Sequence, residues 1–67
     1  MMIIENKETG QKARVTHWDF FWINRATGKQ IDRAFMYEML DGDLEGRKFV
    51  ESIDSLWKLW TKWRRDG

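Results

Sequence analysis

The side chains through which a cysteine-free chain can do chemistry are few here. The 67 residues hold one histidine and no cysteine. His17 stands two residues before Asp19, and on a strand the two would share a face. A metal site takes three or four ligands at recognisable spacing, and no second cluster supplies them. The acidic run Asp41-Gly42-Asp43-Leu44-Glu45-Gly46 begins like a calcium loop, with glycine at its sixth place. The twelfth place needs glutamate and holds Ser52, with Glu51 one residue early. The ligand set is broken, so the run reads as a solvated loop between two helices. No phosphate-cradling glycine loop is present, and catalysis needs acid, base or nucleophile groups positioned in a pocket. The sequence predicts no catalytic residue, no metal, no cofactor and no enzymatic activity.

Basic residues interleaved with aromatics offer a different chemistry, the gripping of phosphates while rings stack on bases. Lys12 and Arg14 alternate towards Trp18, Arg25 and Lys29 flank a turn, and Lys58 and Lys62 sit near the end of the chain. Against this stand 11 acidic residues to 12 basic ones, for a net charge of +1. Such a balance fits solvated faces and charged edge strands. Nucleic-acid binding is therefore the alternative reading.

The stretch SLWKLWTKWRR, Ser55 to Arg65, sets three tryptophans three residues apart. At about 100° per residue, Phe49, Ile53, Trp57 and Trp60 make one core stripe of a helix. Leu59 and Trp63 then widen the apolar arc beyond what one buried face uses. The run Phe20–Ile23 is likewise apolar on both faces, more than a sheet covered on one side requires. Surplus apolar surface marks an interface, and Trp and Arg dominate interface energies. The expected contacts are Trp18, Phe21, Leu59, Trp63, Arg64 and Arg65. The occupant would be a protein partner, a second copy, or both. An interfacial membrane helix is disfavoured by Glu51 and Asp54 in the same segment.

The elements that must position these residues follow from local pattern. Asn6–Gly10 (NKETG) and Asn24–Gly28 (NRATG) share one form, asparagine first and glycine last, which suits a hairpin loop. Strands flank them: Met2–Glu5, then Gln11–Trp18 with Ala13, Val15 and His17 on one face and Lys12, Arg14, Thr16 and Trp18 on the other. Asp19 interrupts, as a turn or a bulge. Phe20 and Trp22 then oppose Phe21 and Ile23, and Lys29–Ile31 returns. Asp32 reads as an N-cap, with Phe35, Met36, Met39 and Leu40 at helical spacing and Gly42 as the stop. A second helix is predicted from about Arg47 to Arg65.

The fold class is α+β: an antiparallel meander of three or four strands in the N-terminal half, then two helices packed on one face, all in a single domain. With aromatics at 15% of residues and no disulfide, such a domain depends on packing. The opening residues lack a signal-peptide pattern, and no run reaches the ~20 apolar residues of a membrane span. The expectation is a cytoplasmic, non-enzymatic binding protein that acts as a regulator or inhibitor.

Overall fold

The computed structural model describes the backbone of residues 2–65 and the side chains of residues 2–60. The order is β1 (Met2–Asn6), β2 (Lys12–Asn24), β3 (Lys29–Met39), β4 (Lys48–Ser52), α1 (Ile53–Leu59) and β5 (Trp60–Arg65). The strands form one antiparallel sheet in the order β4-β3-β2-β1-β5. The α+β class and the meander are as expected.

The two NxxTG turns are built alike. Asn6 Oδ1 accepts the N–H groups of Glu8 and Thr9, at 2.8 and 3.1 Å. Asn24 Oδ1 accepts those of Ala26 and Thr27, at 2.9 and 3.3 Å. Each turn then closes through a glycine at positive φ, Gly10 at 75° and Gly28 at 76°, whose N–H bonds back to the asparagine carbonyl. Only glycine occupies that region without steric cost. The turns fix antiparallel registers, Glu5 opposite Lys12 and Asn24 opposite Lys29.

The two long helices are corrected. Asp32–Leu40 is not a helix: Lys29–Met39 is one continuous strand, and Asp32 caps nothing. The apolar spacing of Phe35, Met36, Met39 and Leu40 satisfies a helix, but Phe35, Tyr37 and Met39 satisfy a strand equally well. A run of that length carries both periods. The second turn decides, because it lays the following residues against a long aromatic partner strand. The acidic loop accordingly joins two strands, β3 and β4, and Asp41 Oδ1 accepts the Lys12 N–H.

The segment expected as one helix from Arg47 to Arg65 divides in three. Its helical part is seven residues, with Ser52 as N-cap accepting the Asp54 N–H, Asp54 in the first turn and Lys58 in the last. The Trp60 N–H still bonds to the Leu56 carbonyl, and at Trp60 the backbone turns extended. Pairing with β1, Asn6 opposite Trp60 and Ile4 opposite Lys62, replaces the bonds that a continued helix would have made. A tertiary partner overrides local propensity here. Since β4 and β5 run in the same direction at opposite edges, α1 must carry the chain across the sheet, and the face that it crosses is the core.

That face is filled by rows read across the register. Ile4, Ala13 and Met39 form one row, and Met2, Val15, Tyr37 and Phe49 the next. Leu56 and Trp60 close over them, and both are buried. The rings of Tyr37 and Trp60 lie 4.9 Å apart, edge to face. Their strands are three spacings apart, about 14 Å, so the rings converge above β2 and β1. On β2 the rows beneath offer only Ala13 and Val15, which leaves room for that meeting.

The core assignment of the tryptophan stripe needs one correction. Trp60 is 4% exposed, but Trp57 is 63% exposed. A helix of seven residues buries a narrow stripe, and Leu56 occupies it. The packing that a longer helix would have given Trp57 is absent.

Candidate docking surface

Among the described residues, strand β1 pairs with β2 only as far as Val15, and β4 pairs with β3 only from Ala34 to Glu38. Beyond those limits β2 and β3 continue as a two-stranded arm ending in the Asn24–Gly28 turn. The length follows from sequence: thirteen residues of β2 and eleven of β3 are strand-forming, against five each in β1 and β4.

Bulges shape the base of the arm. Between Val15 and His17 the partners advance only from Tyr37 to Met36, so Thr16 is the extra residue. Between Trp18 and Phe20 they advance only from Phe35 to Ala34, so Asp19 is extra. Asp19 has φ 58°, a region that aspartate tolerates better than most residues. Asp19 is therefore a bulge rather than a turn. Bulges bend a strand and sharpen its twist.

One salt bridge braces this bend. Arg33 Nε donates to Asp19 Oδ1 at 2.9 Å and its Nη2 to Oδ2 at 3.1 Å, a bidentate pair across the arm. The hydrogen bonds from Arg33 and its charge hold the Asp19 carboxyl below the usual aspartate range. The same pair raises the Arg33 guanidinium, with a further push from nearby Asp54.

The extra residue at Thr16 changes which side chains share a face. Trp18 joins Val15 and Tyr37 on the core side, its ring 6.0 Å from that of Phe35. His17 falls opposite Met36 on the outer side, where Arg14 lies opposite Glu38. The expected face of Lys12, Arg14 and Trp18 is thus split, as is that of Ala13, Val15 and His17. Arg14 bonds to Glu38, so its charge is already partnered.

The arm leaves large apolar groups in water. Trp18 is 45%, Phe21 59% and Ile23 42% exposed. Phe20 and Trp22, the alternate residues, are half-buried. Below the arm, a groove of about 660 Å³ runs between the start of β3 and the start of α1, lined by Ile31, Arg33, Val50, Asp54 and Leu59 among others. Leu59 is 42% exposed.

Of the residues expected at an interface, Trp18 and Phe21 fall on the arm and Leu59 on the far wall of the groove. The side chains of Trp63, Arg64 and Arg65, and of Lys62, lie outside the described residues. Arg25 and Lys29 are exposed at the tip of the arm, Lys58 is exposed on α1, and Lys12 is exposed beside the acidic loop. The basic residues are thus dispersed. Ile23 and the groove were not anticipated as site features, although the two-faced apolarity of Phe20–Ile23 was the signal for the first. Among the described residues, no three histidine, aspartate or glutamate side chains are placed to hold a metal ion. No described helix is long and apolar enough to cross a membrane.

Compared with protein-family models, curated proteins and solved structures, the chain matches none of them. The surface itself carries the functional argument.

Proposed function

We propose that the chain is a non-enzymatic binding protein that docks on a protein partner through the β2–β3 arm, acting there as a regulator or inhibitor. One observation carries the reading: Trp18, Phe21 and Ile23 stand exposed together on an arm that extends beyond the rest of the sheet. Isolated two-stranded hairpins are marginal in water, and a projecting apolar one gains stability when covered. Aromatic anchors of this kind dominate interface energies. Leu59 would extend the contact across the groove. A cytoplasmic setting belongs to the same proposal.

The test is a pull-down from the native host lysate, with and without nuclease, using the wild-type chain and the Phe21→Ser/Ile23→Ser double variant. A protein retained by wild type, resistant to nuclease and lost with the variant supports the reading. Retention by both chains alike overturns it.

Nucleic acid is the second reading, and it has one observation in its favour. The arm is a two-stranded ribbon with exposed Arg25 and Lys29 at its tip, and a ribbon of that width enters a major groove. Phosphate contacts release counterions, so such binding would weaken steeply as salt rises. A retained species that disappears with nuclease would favour it over a protein.

A further inference from the structure

Among the described residues, four stretches of strand edge in this sheet lack a neighbour, and they differ in charge. The outer edge of β4 begins with exposed Lys48 and is five residues long. In β5, Lys62, Arg64 and Arg65 make up half of the six residues. The free edge of β3 along the arm carries Lys29, Asp32 and Arg33. Charge and shortness are the ordinary protections of an edge strand. The fourth stretch, β2 past the Asp19 bulge, reads Phe20-Phe21-Trp22-Ile23-Asn24 and contains no ionisable residue.

We infer that this fourth edge pairs with itself: two copies join antiparallel along Phe20–Asn24 to form a continuous sheet across a two-fold axis. The inference rests on the reading of the arm as a docking surface and names its occupant. A two-fold axis normal to a sheet keeps the faces of both copies matched only when a residue lies on the axis. A third shift in register, between Phe20 and Trp22, puts its extra residue on β3, where the partners run from Ala34 to Ile31. β2 itself offers five residues between the Asp19 bulge and the turn, and its middle residue, Trp22, takes that place. Phe21 of each copy then lies opposite Ile23 of the other, and Phe20 opposite Asn24. The most exposed ring of the arm is thereby set against its exposed aliphatic neighbour.

Charge fits a like partner. The run offers no counter-charge to an acidic or basic peptide, and it meets a second uncharged run without repulsion. Of the two ions that flank the run, Asp19 is already satisfied by Arg33 of its own chain, and Arg25 stands exposed in the turn. Area fits a reversible dimer. The exposed parts of Phe21 and Ile23 come to roughly 200 Å² per copy, taking about 200 Å² for a whole side chain. Two copies therefore cover at most roughly 400 Å² from these side chains, a third of the ~1,200 Å² at the low end of specific interfaces. Paired backbone and the half-buried Phe20 and Trp22 add to it. A dimer that assembles with concentration is the expected state.

The test combines assembly with cross-linking. Light scattering or sedimentation of the wild-type chain over a concentration series should show monomer passing to dimer. Phe21→Lys should raise the dissociation constant roughly thirtyfold or more with the circular dichroism unchanged; Phe21→Ser serves if the lysine variant fails to fold. Because the native chain has no cysteine, Phe21→Cys and Ile23→Cys each carry one thiol. An equimolar mixture should form the covalent dimer faster than either variant alone, since the pairing sets position 21 against position 23. A wild-type chain that stays monomeric throughout overturns self-pairing, as does a dimer indifferent to Phe21→Lys or a mixture no faster than its components. A monomer whose arm still captures another protein, and loses it on Phe21→Ser/Ile23→Ser, overturns self-pairing while leaving the docking reading intact.

Discussion

Asp19 and Arg33 meet across the β2–β3 arm in a bidentate pair, at the residue where β2 bulges into positive φ. The aspartate has two roles at once. Its backbone accepts a conformation unfavourable to most side chains, and its carboxylate locks the partner strand to the bend. The strand bends at this point, just after Trp18.

Asp19 should titrate below an ordinary aspartate, because hydrogen bonds from Arg33 favour its charged form. With the folded-state value depressed, the pair's contribution is present above the ordinary aspartate pKa and lost as pH falls below it. The pair is exposed, so the effect on stability is small. Carboxyl chemical shifts across an acid titration should show the low midpoint, and Arg33→Gln should return it towards the ordinary value.

Tyr37 predicts the opposite limb. Burial first, then its hydrogen bond to Glu51, pushes the phenol well above its usual range. A raised folded-state value means stability is intact below the unfolded pKa of about 10 and declines as pH rises past it. Tyr37 is the sole tyrosine, so tyrosinate absorbance reports on it alone and should appear only with unfolding. Tyr37→Phe should cost about 1 kcal/mol at neutral pH and remove the alkaline limb. The Ser55 hydroxyl shares its one proton between Glu51, at 3.1 Å, and the Ser52 carbonyl, at 2.7 Å.

The two helix-end tryptophans should respond unequally. Trp60→Ala removes a buried ring that touches Tyr37 and should cost about 3–5 kcal/mol, enough to unfold much of a domain this small. Trp57→Ala removes an exposed ring and should stay within about 0.5 kcal/mol. Denaturant midpoints of the two variants check the difference. Similar losses would restore the longer helical stripe.

The turn glycines give a clean backbone test. A Cβ at Gly10 or Gly28 meets nothing within 4 Å, so substitution is felt through φ alone. Gly28→Ala should cost about 1–2 kcal/mol and lower the melting temperature by about 4–8 °C per kcal/mol. Gly28→Asn should cost less, since asparagine tolerates that region. Thermal melts of the pair would show whether this turn holds the arm together.

Some of this architecture was readable residue by residue. The two NxxTG turns declared themselves, because asparagine, threonine and glycine act on their own backbone within five residues. So did the meander that they join, the interruption at Asp19, and the excess of apolar groups in Phe20–Ile23. Each of these depends on contacts local in sequence, and local chemistry is what a sequence displays.

The rest was settled at a distance. Lys29–Met39 is a strand because β2 lies beside it, although its apolar spacing suits a helix too. The tryptophan segment leaves its helix at Trp60 because β1 offers a free edge fifty residues away in the chain, and that choice buries Trp60 and exposes Trp57. One extra residue at Thr16 sends Trp18 to the opposite face from Arg14. Side-chain facing reverses with a single step in register, and register between strands is fixed by pairing energy across the fold, which no single segment contains.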